Sequence, residues 1–117
     1  MSQNRKILII EDDTLLVEEL SEQILMHEEF DVISAETAST GLAAAKSEAP
    51  DLILLDVGLP DQDGRETCKL MRKAGITTPI IILTGSDYDA DTILGLEAGA
   101  SDYVTKPFRF GVLLEIG

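Results

Sequence analysis

The sequence predicts an α/β fold built on a parallel sheet, and three observations carry that prediction. Strand-length apolar runs alternate with stretches of helical periodicity along the 117 residues. Two of the runs, Asp51-Leu52-Ile53-Leu54-Leu55-Asp56 and Pro79-Ile80-Ile81-Ile82-Leu83-Thr84, have an unbroken apolar interior, the pattern of strands buried on both faces. Each run then stops abruptly at a polar residue, which places that residue at the carboxyl end of its strand.

The first strand is read as Lys6-Ile7-Leu8-Ile9-Ile10, ending in Glu11-Asp12-Asp13. Leu16, Leu20 and Ile24 then recur at helical spacing, with Leu15 and Val17 beside them, and Asp13 or Thr14 is placed to cap the helix start. His27 falls near the end of that helix, where a cation is favoured. Asp31-Val32-Ile33-Ser34-Ala35 is a second, weaker strand suited to an edge. Ser39 to Ser47 is Ala-rich and helical, with Leu42, Ala45 and Ala49 on one side, and Pro50 closes the unit.

The segment Val57-Gly58-Leu59-Pro60-Asp61-Gln62-Asp63-Gly64 is a loop by its density of Gly, Pro and Asp, with Asp61 and Asp63 read as turn formers. A helix follows with Cys68 and Met71 on its inner face, ending at Gly75. After the Pro79–Thr84 strand, Gly85-Ser86-Asp87 turns into a helix carrying Ile93 and Leu96, which stops at Gly99. Ser101-Asp102-Tyr103-Val104-Thr105 is the last strand, closed by Lys106-Pro107. A final helix starts at Phe108 and is cut short by the chain end at Gly117.

Composition narrows the function. At this length the chain, residues 1–117, reads as one domain with a single core. A hydrophobic content of 44% with 4% aromatics makes that core one of Ile, Leu, Val and Ala. No apolar run approaches the roughly 20 residues that span a bilayer, and the polar start, Met1 to Lys6, is no signal peptide. A cytoplasmic protein is expected, without membrane insertion. Cys68 is the one cysteine, so no internal disulfide forms, and it reads as a small buried hydrophobe. The net charge of −13 argues against direct nucleic-acid binding by this segment and suits divalent cations or a basic partner surface.

Position then points to chemistry. Glu11 and Asp12 follow the first strand, Asp56 ends the third, Thr84 ends the fourth and Lys106 follows the fifth. In a parallel sheet those ends share one edge, the edge where open α/β sheets bind ligands. Carboxylates gathered there repel one another and call for a cation; an all-oxygen acidic set suits Mg²⁺. The Thr84 hydroxyl and the Lys106 ammonium are the groups needed to hold phosphoryl oxygens during in-line transfer onto Asp56. The product is an aspartyl phosphate.

With these residues in place, the chain resembles the receiver domains of bacterial two-component response regulators. The resemblance is carried by Ile9-Ile10-Glu11-Asp12-Asp13, Asp51 to Asp56, Leu59-Pro60-Asp61 through Gly64, Ile82-Leu83-Thr84-Gly85, and Gly99-Ala100-Ser101-Asp102-Tyr103-Val104-Thr105-Lys106-Pro107-Phe108. It covers almost the whole chain, in order.

The resemblance implies a doubly wound, flavodoxin-like (βα)5 sandwich with sheet order 2-1-3-4-5, here with its last helix truncated. It implies that Asp56 accepts a phosphoryl group from the phosphohistidine of a sensor histidine kinase or phosphotransfer protein. Asp12 would bind Mg²⁺ directly, Glu11 through water, and the Gly58 backbone carbonyl would add a ligand. Thr84 and Tyr103 match the switch pair, which biases the face of the fourth helix, fifth strand and fifth helix, a possible homodimer surface. The Lys106–Pro107 bond is cis in the family. Such a domain catalyses its own phosphorylation and dephosphorylation yet is a signalling module rather than a metabolic enzyme. Many precede a DNA-binding output domain, absent from this chain.

The resemblance also implies two positions that tune phosphoryl lifetime in the family: Gly58 and Ser86 stand there, two residues beyond Asp56 and Thr84, and Gly58 brings no side chain to orient water. Three rival readings compete. A haloacid-dehalogenase-type phosphatase places its nucleophile after the first strand with an acid two residues on, where this chain has Asp56 after the third and Gly58. A flavodoxin-like cofactor binder needs a neutral hydroxyl-rich loop where Glu11-Asp12-Asp13 stands. A stand-alone or phosphorylation-independent interaction module is disfavoured by the intact site.

Overall fold

A computed structural model describes residues 4–84 and 102–105 of the chain, with side chains through Leu83. Five parallel strands form one sheet: β1 (Arg5–Ile10), β2 (Phe30–Ala35), β3 (Leu52–Asp56), β4 (Ile80–Thr84) and β5 (Asp102–Thr105). Their spatial order is β2-β1-β3-β4-β5, as expected. Among the described residues three helices connect them: α1 (Thr14–Leu25), α2 (Ala38–Glu48) and α3 (Gly64–Lys73). The expected helix around Ile93 and Leu96, its stop at Gly99, Ser86 and the truncated final helix lie outside the described residues.

The strand alternation sorts the core into two layers. Ile7, Ile9, Leu54, Ile81 and Leu83 pack on one face with Leu20 and Ile24 of α1. Leu8, Ile10, Ile53, Leu55, Ile80 and Ile82 pack on the other with Ala38 and Ala45 of α2 and Cys68 and Met71 of α3. Residues Ile7–Ile10 and Ile53–Leu55 are all buried, so β1 and β3 have no polar face. That is why the sequence shows runs rather than alternation there. The edge strand β2 keeps only Phe30 and Ala35 buried, matching its weaker pattern.

Several sequence expectations shift on contact with the packing. Leu15 sits one position, and so about 100°, from the Leu16 stripe, and it is 69% exposed rather than part of the core. Ala49 does not share the inner face of α2; it ends the helix in the left-handed conformation at φ 47° and is exposed. Asp51 precedes β3 and accepts a hydrogen bond from Lys6 N at 2.8 Å. His27 lies beyond α1, donates its backbone N–H to Ile24 O at 3.0 Å, and meets the Phe30 ring edge-on.

Asp63 is more than a turn former. It is the N-cap of α3, its Oδ1 accepting from Arg65 N at 2.8 Å while Arg65 Nη2 donates to Oδ2 at 2.8 Å. The Arg65 side chain holds this carboxyl below its ordinary value, against the opposing effect of partial burial. A depressed folded-state pKa contributes stability above the unfolded value, lost as pH falls through the folded one. Asp63→Ala is therefore expected to cost about 1 kcal/mol near neutrality. Urea denaturation checks this, and the gap to wild type should narrow in acid below the ordinary carboxylate value of 3.8.

Candidate functional site

The register of the sheet builds the site. In β1 and β3, Ile9 pairs with Leu54 on the α1 face of the sheet. Glu11 and Asp56 each lie two residues beyond that pair, so the twofold strand period brings both to the same side of adjacent strand ends. The Glu11 N–H donates to Ala35 O at 2.9 Å, which keeps the chain in strand register one residue past β1.

The three consecutive acids then do three different things. Glu11 is 1% exposed, and its Oε2 accepts from Asp12 N at 3.0 Å and Asp13 N at 3.3 Å. Asp12 is exposed. Asp13, rather than Thr14, caps α1: its Oδ1 accepts from Leu15 N at 3.1 Å and Leu16 N at 3.2 Å. Capping thus accounts fully for Asp13 and leaves Asp12 for other chemistry.

Glu11, Asp12 and Asp56 each present a carboxylate oxygen, and these lie within 4.8 Å of one another. Asp56 is 6% exposed and Glu11 less, so water screens the group only from the Asp12 side. At such a separation each like-charge pair costs on the order of 3 kcal/mol at an effective dielectric of about 20. A divalent cation reverses the sign of that term. The donor set, three carboxylates and no nitrogen or sulfur, fits a hard oxygen-seeking ion of the Mg²⁺ or Ca²⁺ kind.

The loop after β3 frames Asp56. Its first hydrogen bonds continue the sheet and then fold back: Val57 N donates to Leu83 O at 3.1 Å, and Gly64 N donates to Val57 O at 2.9 Å. Gly58 forms an isolated antiparallel bridge with Asp63. A methyl group at Gly58 would stand 3.6 Å from Asp56 Oδ2, so this position fronts the carboxylate directly. At Gly64 a Cβ would overlap the Asp56 carbonyl oxygen, so α3 begins hard against the backbone of the candidate reactive residue. Leu59 is buried in the core, and Asp61 accepts from the N-terminal amides of α2.

Of the residues singled out in the sequence, Glu11, Asp12 and Asp56 are brought together. Thr84 ends β4, one residue beyond Leu83, the register partner of Asp56. Tyr103 stands in β5 opposite Ile82, and Thr105, the residue before Lys106, pairs with Thr84. Lys106 and Pro107, with the expected cis bond between them, lie outside the described residues. Sequence reading missed the cap at Asp63, although its spacing from Glu66 is that of a capping box. It also missed the tie at Asp61, whose partners are 22 and 23 residues away and leave no local signal.

Among the described residues no helix is long and apolar enough to cross a membrane. The family model described as Response regulator receiver domain matches residues 7–116. The alkaline phosphatase synthesis transcriptional regulatory protein PhoP of Bacillus subtilis is 46% identical over 105 residues, covering 90% of this chain and 43% of that protein. SphR of Synechococcus elongatus, of the same description, is 38% identical over 112 residues, with 88% and 43% covered. This chain therefore spans less than half the length of either relative. Among solved structures, the receiver domain of the Francisella response regulator 1452 superposes with a TM-score of 0.89 at 31% identity, covering 97% of this chain and 93% of that one. The BeF3-activated N-terminal receiver domain of Klebsiella pneumoniae RstA gives 0.87 at 36%, covering 95% and 93%. The fold, the order of the strands and a family match over nearly the whole length agree: this chain belongs to the response regulator receiver domain family.

Proposed function

We propose that this chain is a Mg²⁺-dependent phosphoacceptor switch in which Asp56 receives a phosphoryl group from the phosphohistidine of a sensor histidine kinase or phosphotransfer protein. The observation that carries the reading is the convergence of the Glu11, Asp12 and Asp56 carboxylates within 4.8 Å at the carboxyl end of the sheet. An Asp56 carboxylate oxygen attacks phosphorus in line, an O–P bond forms, the P–N bond breaks, and the imidazole leaves with the electron pair.

Asp12 and Asp56 would hold the ion directly, Glu11 through water, and the Gly58 carbonyl would complete the protein's share. Bound there, Mg²⁺ supplies charge neutralisation between the anionic nucleophile and the phosphoryl oxygens. Glu11 is held by the amides of Asp12 and Asp13, so it keeps its place without help from a ligand. Thr84 donates its hydroxyl, and Lys106 its ammonium, to phosphoryl oxygens. Thr84 and Tyr103 then carry the local change to the surface of the fourth helix, fifth strand and fifth helix, through which two copies associate. The same site autophosphorylates from small phosphodonors and dephosphorylates by water attack. Residues 1–117 act as one such unit, in the cytoplasm. The relatives are named transcriptional regulators, and we extend that output to the longer protein of which this segment is the receiver; at −13 the segment itself is no DNA ligand.

Borohydride reduction of the phosphorylated protein turns an aspartyl phosphate into homoserine. Peptide mapping is expected to place homoserine at position 56; homoserine elsewhere overturns the assignment. Lys106→Ala is expected to leave the Mg²⁺ midpoint within about twofold, because an ammonium is no metal ligand, while abolishing the phosphorylation-dependent shift of amide resonances in β5. Loss of metal binding in that variant would contradict the role given to Lys106.

A further inference from the structure

The two walls of the acidic cluster come from separate parts of the chain. Glu11 and Asp12 follow β1, whereas Asp56 is the last residue of β3 and Gly58 lies just beyond it. Below the cluster the walls are joined by the β1–β3 ladder, whose last register pair is Ile10 with Leu55. Beyond that pair a different set of bonds takes over. Glu11 N donates to Ala35 O at 2.9 Å, which ties the first wall to the end of β2. Three residues later α2 begins. Its first two amides, Ala38 N and Ser39 N, donate to Asp61 Oδ1 at 2.8 Å and Oδ2 at 3.1 Å. Asp61 lies in the loop that carries Gly58, and Leu59 and the Gly58–Asp63 bridge fix that loop on either side of it.

These contacts close a ring around the cluster: β1 end, β2 end, α2 start, Asp61, β3 loop and back to Asp56. We infer that Asp61 is a positioning residue for the acidic site, a clasp that sets the spacing between the Glu11–Asp12 wall and the Asp56–Gly58 wall without touching any ligand. Each oxygen of its carboxylate takes one amide, so the contact is bidentate and fixes orientation as well as distance. Its capping value to α2 is secondary, because α2 has its own cap. Thr37 Oγ1 accepts from Thr40 N at 3.1 Å, and the Thr40 hydroxyl oxygen accepts from Thr37 N. A helix already capped by a Thr37–Thr40 box gains less from a second acceptor. The reach of Asp61 across 23 residues serves the loop instead.

The inference rests on the metal-site reading above, and it is tested on the whole chain with MgCl₂ as the probe, by amide-shift titration at Asp12, Asp56 and Gly58. Asp61→Ala is expected to weaken Mg²⁺ binding about tenfold, the lower end of what losing a group that supports metal ligands costs. Asp61→Asn, which keeps one acceptor oxygen, should fall between it and wild type. Thr37→Ala removes the other α2 cap and leaves the clasp, so it should lower Tm yet keep the wild-type Mg²⁺ midpoint. An unchanged midpoint in Asp61→Ala, or an equal loss in Thr37→Ala, would overturn the clasp and leave Asp61 as a helix cap only. Wild type that binds Mg²⁺ but takes no phosphoryl group would sink the phosphoacceptor reading while leaving the comparison of midpoints decisive.

Discussion

Asp56→Asn is expected to keep the fold, gain thermal stability and form no acyl phosphate. The amide nearly matches the carboxylate in shape, which matters at a residue only 6% exposed. It is a poor nucleophile, so labelling should fall by on the order of 10³-fold or more, as when the nucleophile of a catalytic unit is removed. The stability gain follows from the geometry. Asp56 shares a region 4.8 Å across with the Glu11 and Asp12 carboxylates, and deleting its charge removes two like-charge pairs. Relief of even 1 kcal/mol raises Tm by about 4 °C in a domain of this size. Differential scanning calorimetry without divalent cations reads that rise, and addition of MgCl₂ should narrow the gap by stabilising wild type more than the variant. A variant less stable than wild type in the absence of metal would show that the other interactions of Asp56 outweigh its repulsion by Glu11 and Asp12.

Gly64→Ala is expected to be the most damaging of the small changes near the site. Gly64 is the first residue of α3, with no positive φ to explain a glycine there. The reason is steric. A Cβ would overlap the Asp56 carbonyl oxygen and come within 2.9 Å of the Asp56 carbonyl carbon and 3.0 Å of Val57 Cα. All three are backbone atoms at the end of a central strand and cannot rotate aside. The start of α3 must move instead, pulling on the Gly64 N–H to Val57 O bond and the Asp63 cap. Overpacking of this kind costs about 1–3 kcal/mol, so a fall in Tm of about 4–12 °C is expected. Gly58→Ala is the control. Its Cβ would sit at 3.6 Å from Asp56 Oδ2, ordinary contact distance, and its stability should stay within about 0.5 kcal/mol of wild type. Equal stability of the two variants would contradict the close approach of α3 to Asp56.

The strands were legible because the central ones are buried on both faces and the sequence has to say so without interruption. Ile53, Leu54 and Leu55 are each fully buried, and among the described residues no loop or helix carries such a run flanked by acids. The acidic trio was legible for a topological reason: parallel strands put all their carboxyl ends on one edge, so Glu11, Asp12 and Asp56 could be placed together before any distance was known. Side-chain direction within a helix was harder. Leu15 and Ala49 are apolar, but a single-residue step turns a helical position by about 100°, and the pattern around each was too short to fix the phase. Long-range polar ties were not legible at all. Asp61 looks like any turn acid in Pro60-Asp61-Gln62, and only the fold brings the amides of Ala38 and Ser39 to it. Gly64 likewise reads as a turn glycine until the backbone of Asp56 is seen against it.

Intact mass after incubation with acetyl phosphate reads out whether the clustered carboxylates make Asp56 a metal-dependent phosphoacceptor. Wild type should gain a single phosphoryl group only when Mg²⁺ is present, lose it on brief exposure to base, and share neither behaviour with Asp56→Asn. A gain that persists without Mg²⁺ or survives in Asp56→Asn would rule out that role for Asp56, as would the absence of any gain in a protein that also fails to bind beryllofluoride.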